Sequence, residues 1–220
     1  MKRKRARELA RRYLAEQNPT GWFEALYAES AGDAGAIPWA DMEPNPNLVA
    51  WLDAHLAGSA PPAGARALKV GCGLGDDAEE LALRGYDVVS FDISQTAINW
   101  CALRFPASPV KAVVADLFAA PAEWNGAFDL VVESYTLQVL PPPVRAEAMR
   151  CIARFVAPGG TLLVIARGRD PSEDEGAMPW PLTRDELDDF TGAGLVAVSF
   201  EDYLDAEEPP VRRFRAEYRR

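Results

Sequence analysis

Val70-Gly71-Cys72-Gly73-Leu74-Gly75-Asp76-Asp77 follows directly on Arg66-Ala67-Leu68-Lys69, a short run that reads as a β-strand. Alternate glycines let the backbone take positive φ and let a ligand approach it closely. A glycine turn between a strand and a helix also describes a plain tight connection. What surrounds it has to decide.

Working outward, strands are predicted near 66–71, 87–91, 110–115, 128–133 and 161–167, with helices near 76–84, 95–104 and 143–156. The apolar runs Val110-Lys111-Ala112-Val113-Val114 and Thr161-Leu162-Leu163-Val164-Ile165 suit strands covered on both faces. Alternation of this kind implies a doubly wound α/β fold with a mostly parallel sheet and right-handed crossovers. The tail reads differently, as a helix at 183–190 and strands at 195–201 and 211–218. The loop Asp202 to Pro210 lets those two strands pair antiparallel.

Upstream of the turn, helices are expected at 5–16 and 47–56, the second with Leu48, Trp51, Leu52 and Leu56 on one face. The stretch between them reads as irregular, with Gly21-Trp22-Phe23, Ile37-Pro38-Trp39 and Pro44-Asn45-Pro46. A loop, Gly58 to Gly64, closes this part. We therefore expect one domain over 1–220, an N-terminal cap segment at 1–58 and an α/β core at 66–220.

A net charge of −10 argues against a nucleic-acid partner, which calls for a broad basic face. The basic ends, Lys2 to Arg12 and Arg212 to Arg220, read as solvated faces or as anchors for acidic partners. No apolar run reaches the length of a membrane span, so no membrane partner is expected. Cys72, Cys101 and Cys151 lack disulfide or metal-ligand spacing, and His55 is the single histidine. That suits a reducing, cytoplasmic setting and leaves no metal site. The sequence sets no oligomeric state.

In open parallel sheets, ligands bind beyond the carboxyl ends of the strands. The second strand ends on Phe91-Asp92, 19 residues after Gly73, where a carboxylate can accept from ribose hydroxyls or cap the next helix. The third ends on Ala115-Asp116-Leu117-Phe118, where Asp116 can meet an exocyclic amine between apolar neighbours or merely close a turn. Three such features at three successive strand ends point to a nucleoside.

The segment Ala67 to Arg167 resembles the class I S-adenosylmethionine (SAM)-dependent methyltransferases. Val70-Gly71-Cys72-Gly73-Leu74-Gly75 matches their first motif, Phe91-Asp92-Ile93-Ser94 the ribose segment and Ala115-Asp116-Leu117 the adenine segment. Phe128 to Glu133 is similar to the family's fourth strand, and Phe155 to Thr161 to the turn before the fifth. The resemblance implies a seven-stranded Rossmann-like sheet with an antiparallel last strand and SAM as cofactor. It implies cofactor contacts by Gly71, Cys72, Gly73, Asp92, Ile93, Ala115, Asp116, Leu117 and Glu133. One departure stands out: the family's acidic residue two positions before the first glycine is Lys69 here. A lysine suits the methionine carboxylate and repels its ammonium.

Upstream, Trp22-Phe23-Glu24-Ala25-Leu26-Tyr27, Pro38-Trp39 and Asn45-Pro46-Asn47-Leu48 resemble the cap of thiopurine methyltransferase-like and halide and thiol methyltransferases. That resemblance implies Trp39 beside the cofactor; sealing the cap onto the sheet is the other reading. The fourth strand end supplies Glu133, as hydrogen-bond partner or weak base, and Tyr135, to orient the nucleophile; packing and capping roles are open for both. The loop Gly168 to Pro181 reads as a substrate lid or a connector. The acceptor is expected to be a small molecule, a thiol or other soft anion, because no strand end carries a histidine or strong base. An O- or N-methyltransferase, a SAM sensor without turnover and a nicotinamide enzyme are the rivals. Asp76 breaks the G-x-G-x-x-G spacing that the last requires.

Overall fold

The computed structural model describes residues 2–220. Seven strands form the sheet: β1 (Arg66–Val70), β2 (Asp87–Asp92), β3 (Lys111–Val114), β4 (Phe128–Ser134), β5 (Val156–Arg167), β6 (Val196–Leu204) and β7 (Arg212–Arg219). Their order is β3-β2-β1-β4-β5-β7-β6. The strands β1, β4 and β5 run parallel, as do β2 and β3, while β7 is antiparallel to both β5 and β6. The order reverses between β1 and β4, so the switch point of the fold lies at their carboxyl ends.

The helices are α1 (Lys2–Ala15), α2 (Gly21–Ser30), α3 (Pro46–Leu56), α4 (Asp76–Leu83), α5 (Gln95–Arg104), α6 (Pro142–Phe155), α7 (Arg184–Leu187) and α8 (Asp189–Gly192). The chain divides into two compact units. One comprises Met1–Gly64 and Gly71–Asp116, the other Ala65–Val70 and Leu117–Arg220.

In the first unit the structure corrects the reading of 17–46 as irregular. Residues 21–30 are the helix α2, whose Trp22, Leu26 and Tyr27 are buried. The aromatic residues at its start have weak helix propensity. Tertiary burial stabilises the helix instead, as it does most short helices. The Asn18 side chain accepts from the Gly21 N–H at 2.8 Å and starts the turn. The strand β3 is also not covered on both faces; Val114 is 44% exposed, because β3 is an edge strand. Ser94 caps α5: its Oγ accepts from Ala97 N–H at 3.0 Å.

The second unit has its core along β1, β4 and β5, where Leu68, Val131, Val132, Leu163 and Val164 are fully buried. The expected helix at 183–190 is two short ones. Thr183 and Glu186 form a capping box that starts α7, and Asp188 ends α7 and opens α8. The strand β5 begins at Val156, five residues before its expected start, and β6 runs to Leu204, which shortens the expected 202–210 loop. Three arginines of the C-terminal basic run are paired: Arg212 with Asp202, Arg213 with Asp205 and Glu207, Arg215 with Glu201. Among the described residues no helix is long and apolar enough to cross a membrane, and all three cysteines are thiols.

Candidate active site

The glycine turn leaves β1 with Gly71, Gly73 and Gly75 at φ of 58°, 55° and 97°. Any side chain would be strained there. At Gly73 space is also lacking: an added Cβ would stand 3.2 Å from Tyr27 Oη and 3.8 Å from the Trp39 ring. Asp92, buried at the end of β2, holds the turn in place. Its Oδ2 accepts from Gly73 N–H and its Oδ1 from Ser94 N–H, both at 3.0 Å. A carboxylate has about four lone-pair sites, so capacity remains after two bonds. The Cys101 thiol donates to the Gly73 carbonyl at 3.3 Å, and Cys72 N–H to Phe91 O at 2.8 Å.

The N-terminal helices reach the same turn. Trp39 Nε1 donates to Tyr27 Oη at 2.7 Å, and the Trp39 ring meets Trp22, Phe23 and Tyr27 edge to face at 5.9–6.2 Å. Burial, with the Asp92 charge second, pushes the Tyr27 phenol well above its usual range, so it stays protonated. Glu24 reaches across to the β2–α5 turn. It accepts from Ser94 Oγ at 2.6 Å, Thr96 Oγ1 at 2.5 Å and Thr96 N–H at 3.0 Å. Burial raises its carboxyl, but hydrogen bonding outweighs it and the pKa is lowered. Asn45 N–H donates to Asp77 Oδ1 at 2.8 Å, tying the start of α3 to α4.

Trp39, Gly73 and Asp92, read separately from the sequence, are thus brought together. Ile93, next to Asp92 in the sequence, is partly exposed, and Ala115 N–H donates to Asp92 O at 3.0 Å, which sets the Ala115-Asp116 corner next to the β2 end. Leu117 is buried in a 3₁₀ turn of the second unit. Sequence reasoning passed over Tyr27 and Glu24 as site members. No local signal pointed to them, because Glu24's partners lie 70 and 72 residues away in sequence.

In the second unit, β4 ends on Glu133, in register with Val70, while Lys69 stands opposite Val132. Glu133 is fully buried; its Oε1 accepts from Thr136 N–H at 2.7 Å and Leu137 N–H at 3.0 Å, and its Oε2 has no hydrogen-bond partner. Burial pushes this carboxyl up to about 7, against the pull of those N–H groups and the Lys69 charge. Lys69 is buried too and donates from Nζ to Val70 O at 2.9 Å. Tyr135 sits at φ 65°, with the Arg213 guanidinium 4.7 Å from its ring centre. The loop after β5 is fastened rather than loose. Gln138 takes Arg167 N–H on its side-chain oxygen at 2.7 Å and Trp180 N–H on its carbonyl at 2.7 Å. His55 is exposed and stacks on Trp51, away from these groups in character.

Known proteins share the fold that carries these residues. A methyltransferase-domain family model matches residues 67–160. The chain is 28% identical over 200 residues to a protein of Arabidopsis thaliana named probable thiol methyltransferase 2, covering 90% of this chain and 83% of that one. It is 31% identical to a ubiquinone biosynthesis O-methyltransferase of Marinobacter nauticus over 71% of this chain. The chain spans about half to two thirds of the length of such O-methyltransferases. Among solved structures, one described under the conversion of a disulfide bond into a thioacetal group during echinomycin biosynthesis superposes with a TM-score of 0.70. It is 25% identical and covers 91% of both chains. The N-methyltransferase NodS of Bradyrhizobium japonicum WM9, 22% identical with a TM-score of 0.68, has the same fold over 89% of this chain and 96% of its own. With its glycine turn, its strand order and its match to the methyltransferase-domain model, the chain belongs to the class I SAM-dependent methyltransferases.

Proposed function

We propose that this chain, one methyltransferase domain over 1–220 capped by residues 1–58, moves a methyl group from SAM to a small thiol or other soft anion. The observation that carries the reading is the reach of its likeness to the thiol methyltransferase. That likeness extends over 90% of the chain, well beyond residues 67–160.

The residues present fit the cofactor. The turn's backbone takes positive φ at Gly71, Gly73 and Gly75, and Asp92 retains acceptor capacity at the β2 end. SAM supplies an electrophilic methyl group on a sulfonium sulfur. In this reading the backbone of Gly71, Cys72 and Gly73 accommodates the amino-acid part and Asp92 accepts from the ribose. Asp116 takes the adenine amine, with Ile93, Ala115 and Leu117 along its ring. Trp39 excludes water, Glu133 holds the turn at Thr136 and Leu137, and Tyr135 orients the acceptor. A thiolate needs positioning more than proton transfer, because it forms by itself near neutral pH. Orientation can account for about 7–11 kcal/mol of barrier lowering in favourable cases.

The test is a panel of thiols, halides, phenols and amines assayed for S-adenosylhomocysteine release across pH. For thiols, kcat/KM should rise with each substrate's own ionisation. Robust turnover of phenols or amines with thiols inert overturns the reading. One observation favours O-methylation as a second reading: Glu133 titrates near neutrality, where a general base for a phenol should. In that case phenol turnover would rise through pH 7 and fall sharply in Glu133→Gln.

A further inference from the structure

Asp92, the carboxylate assigned above to the ribose, is held by two N–H donors, Gly73 and Ser94, both at 3.0 Å. Each of those two residues is also met by the cap helix α2. Tyr27 lies against Gly73: a Cβ there would stand 3.2 Å from Tyr27 Oη, and Trp39 Nε1 donates to that oxygen at 2.7 Å. Glu24, three residues earlier on the same helix, meets Ser94. The Ser94 Oγ donates to Glu24 Oε2 at 2.6 Å while accepting from Ala97 N–H at 3.0 Å. Thr96 adds its hydroxyl to Oε1 at 2.5 Å and its N–H to Oε2 at 3.0 Å. Residues three apart on a helix share a face, so one face of α2 brackets both donors of Asp92.

The residue type fits that task. Three donors converge on Glu24, and a carboxylate takes them all on two oxygens with about four lone-pair sites. A glutamine would offer one acceptor oxygen and turn an NH2 group against the remaining donors. The carboxylate also stands in the first turn of α2 and accepts an N–H from the first turn of α5, two places where negative charge is favoured. Its lowered pKa keeps it ionised at neutral pH, which makes its hold on the β2–α5 turn charge-assisted. The Ser94 hydroxyl has one proton, and Glu24 takes it, so that hydroxyl does not compete with a ribose hydroxyl for the Asp92 oxygens. We propose that Glu24 is a positioning residue for the cofactor: through Ser94 it fixes the orientation in which Asp92 accepts from the ribose hydroxyls, so that ribose recognition depends on the cap helix. The proposal rests on the assignment of Asp92 to the ribose.

The test titrates full-length wild type, Glu24→Gln, Asp92→Asn and the double variant calorimetrically with S-adenosylhomocysteine and with its 2′,3′-dideoxy analogue. Wild type should prefer the ribose form by about 10-fold or more, as befits hydrogen bonds to a charged group. Glu24→Gln should cut that preference to about a third or less, and should bind the dideoxy analogue within about 2-fold of wild type. In the Asp92→Asn background the same change should alter either affinity by less than about 2-fold, because residues that act on one interaction are not additive. A residue that merely fastens the cap would weaken both ligands alike and add in full to Asp92→Asn. Thr96→Val removes one donor to Glu24 and leaves the Ser94 cap in place. It should lower the preference by about 2-fold, and it decides if Glu24→Gln does not fold. The proposal is overturned if Glu24→Gln keeps the wild-type preference or weakens both ligands equally. A wild type that binds both analogues alike overturns it together with the ribose assignment. A preference that Asp92→Asn removes and Glu24→Gln does not overturns the role of Glu24 alone.

Discussion

The glycine turn of the first unit and the β4 end of the second treat their polar groups in opposite ways. Around the turn, both oxygens of Asp92 accept from backbone N–H groups, Glu24 collects three donors, and Trp39 and Tyr27 satisfy each other. Around β4, the buried Glu133 keeps an unpartnered oxygen and Arg145 an unpartnered NH2, although Arg145 also pairs with Glu175 and Glu186. Tyr135 holds a left-handed backbone that costs a non-glycine residue roughly 1–2 kcal/mol. A buried group without a partner is similarly expensive, about 1–3 kcal/mol. The first region is preorganised and mutually satisfied. The second stores unmet hydrogen bonding and strain, which persist where function requires them. The difference teaches that the part expected to hold an invariant cofactor is complete in itself, while the part expected to meet the acceptor is left to be completed by it.

The contrast can be broken most directly at Glu133. Its pKa in the fold, about 7, lies above its ordinary 4.5, so the folded state holds the proton more tightly than the unfolded chain. The stabilisation is therefore fully present below about pH 4.5 and is lost as pH rises to about 7, on the order of 3 kcal/mol. Glu133→Gln should remove this decline, which thermal melts of both proteins between pH 5 and 8 would reveal. Parallel pH profiles for the two would show that the buried carboxyl is as well satisfied as Asp92.

Next in size is Asp92→Ala, which leaves the Gly73 and Ser94 N–H groups without their acceptor. We expect S-adenosylhomocysteine binding to weaken by about 1–3 kcal/mol, roughly 5- to 150-fold, in a calorimetric titration. Unchanged affinity would mean that Asp92 serves the turn and not the ribose. Trp39→Phe keeps the ring but leaves Tyr27 Oη without its donor, which should cost about 1 kcal/mol of stability by urea unfolding. A much larger loss would show that the aromatic cluster, not the hydrogen bond, holds this region. The smallest effect is expected at His55, which is exposed and stacked on Trp51. His55→Ala should stay within about 0.5 kcal/mol and leave turnover unchanged, since nothing near the turn depends on it.

The sequence by itself determined the elements whose signals are local. Glycines at 71, 73 and 75 permit positive φ, and all three have it. The Ser94 cap and the period of 95–104 placed α5 to the residue. Apolar runs located β1, β2 and β4 to within a residue or so, because buried parallel strands are continuous in the sequence. Other features were decided only by tertiary structure. Residues 21–30 form a helix because Trp22, Leu26 and Tyr27 are buried there, not because the residues favour one. Val110 to Val114 has the composition of a covered strand, yet strand order puts it at an edge. Glu24 meets Ser94 and Thr96 across 70 and 72 residues, a contact no spacing rule reaches. Lys69, whose surroundings the sequence leaves open, lies buried within reach of the Glu133 charge. Whether a polar group in a strand end faces ligand, backbone or another charge depends on what the fold packs against it. Desolvation and long-range pairing are properties of that packing, and the order of residues carries no trace of them.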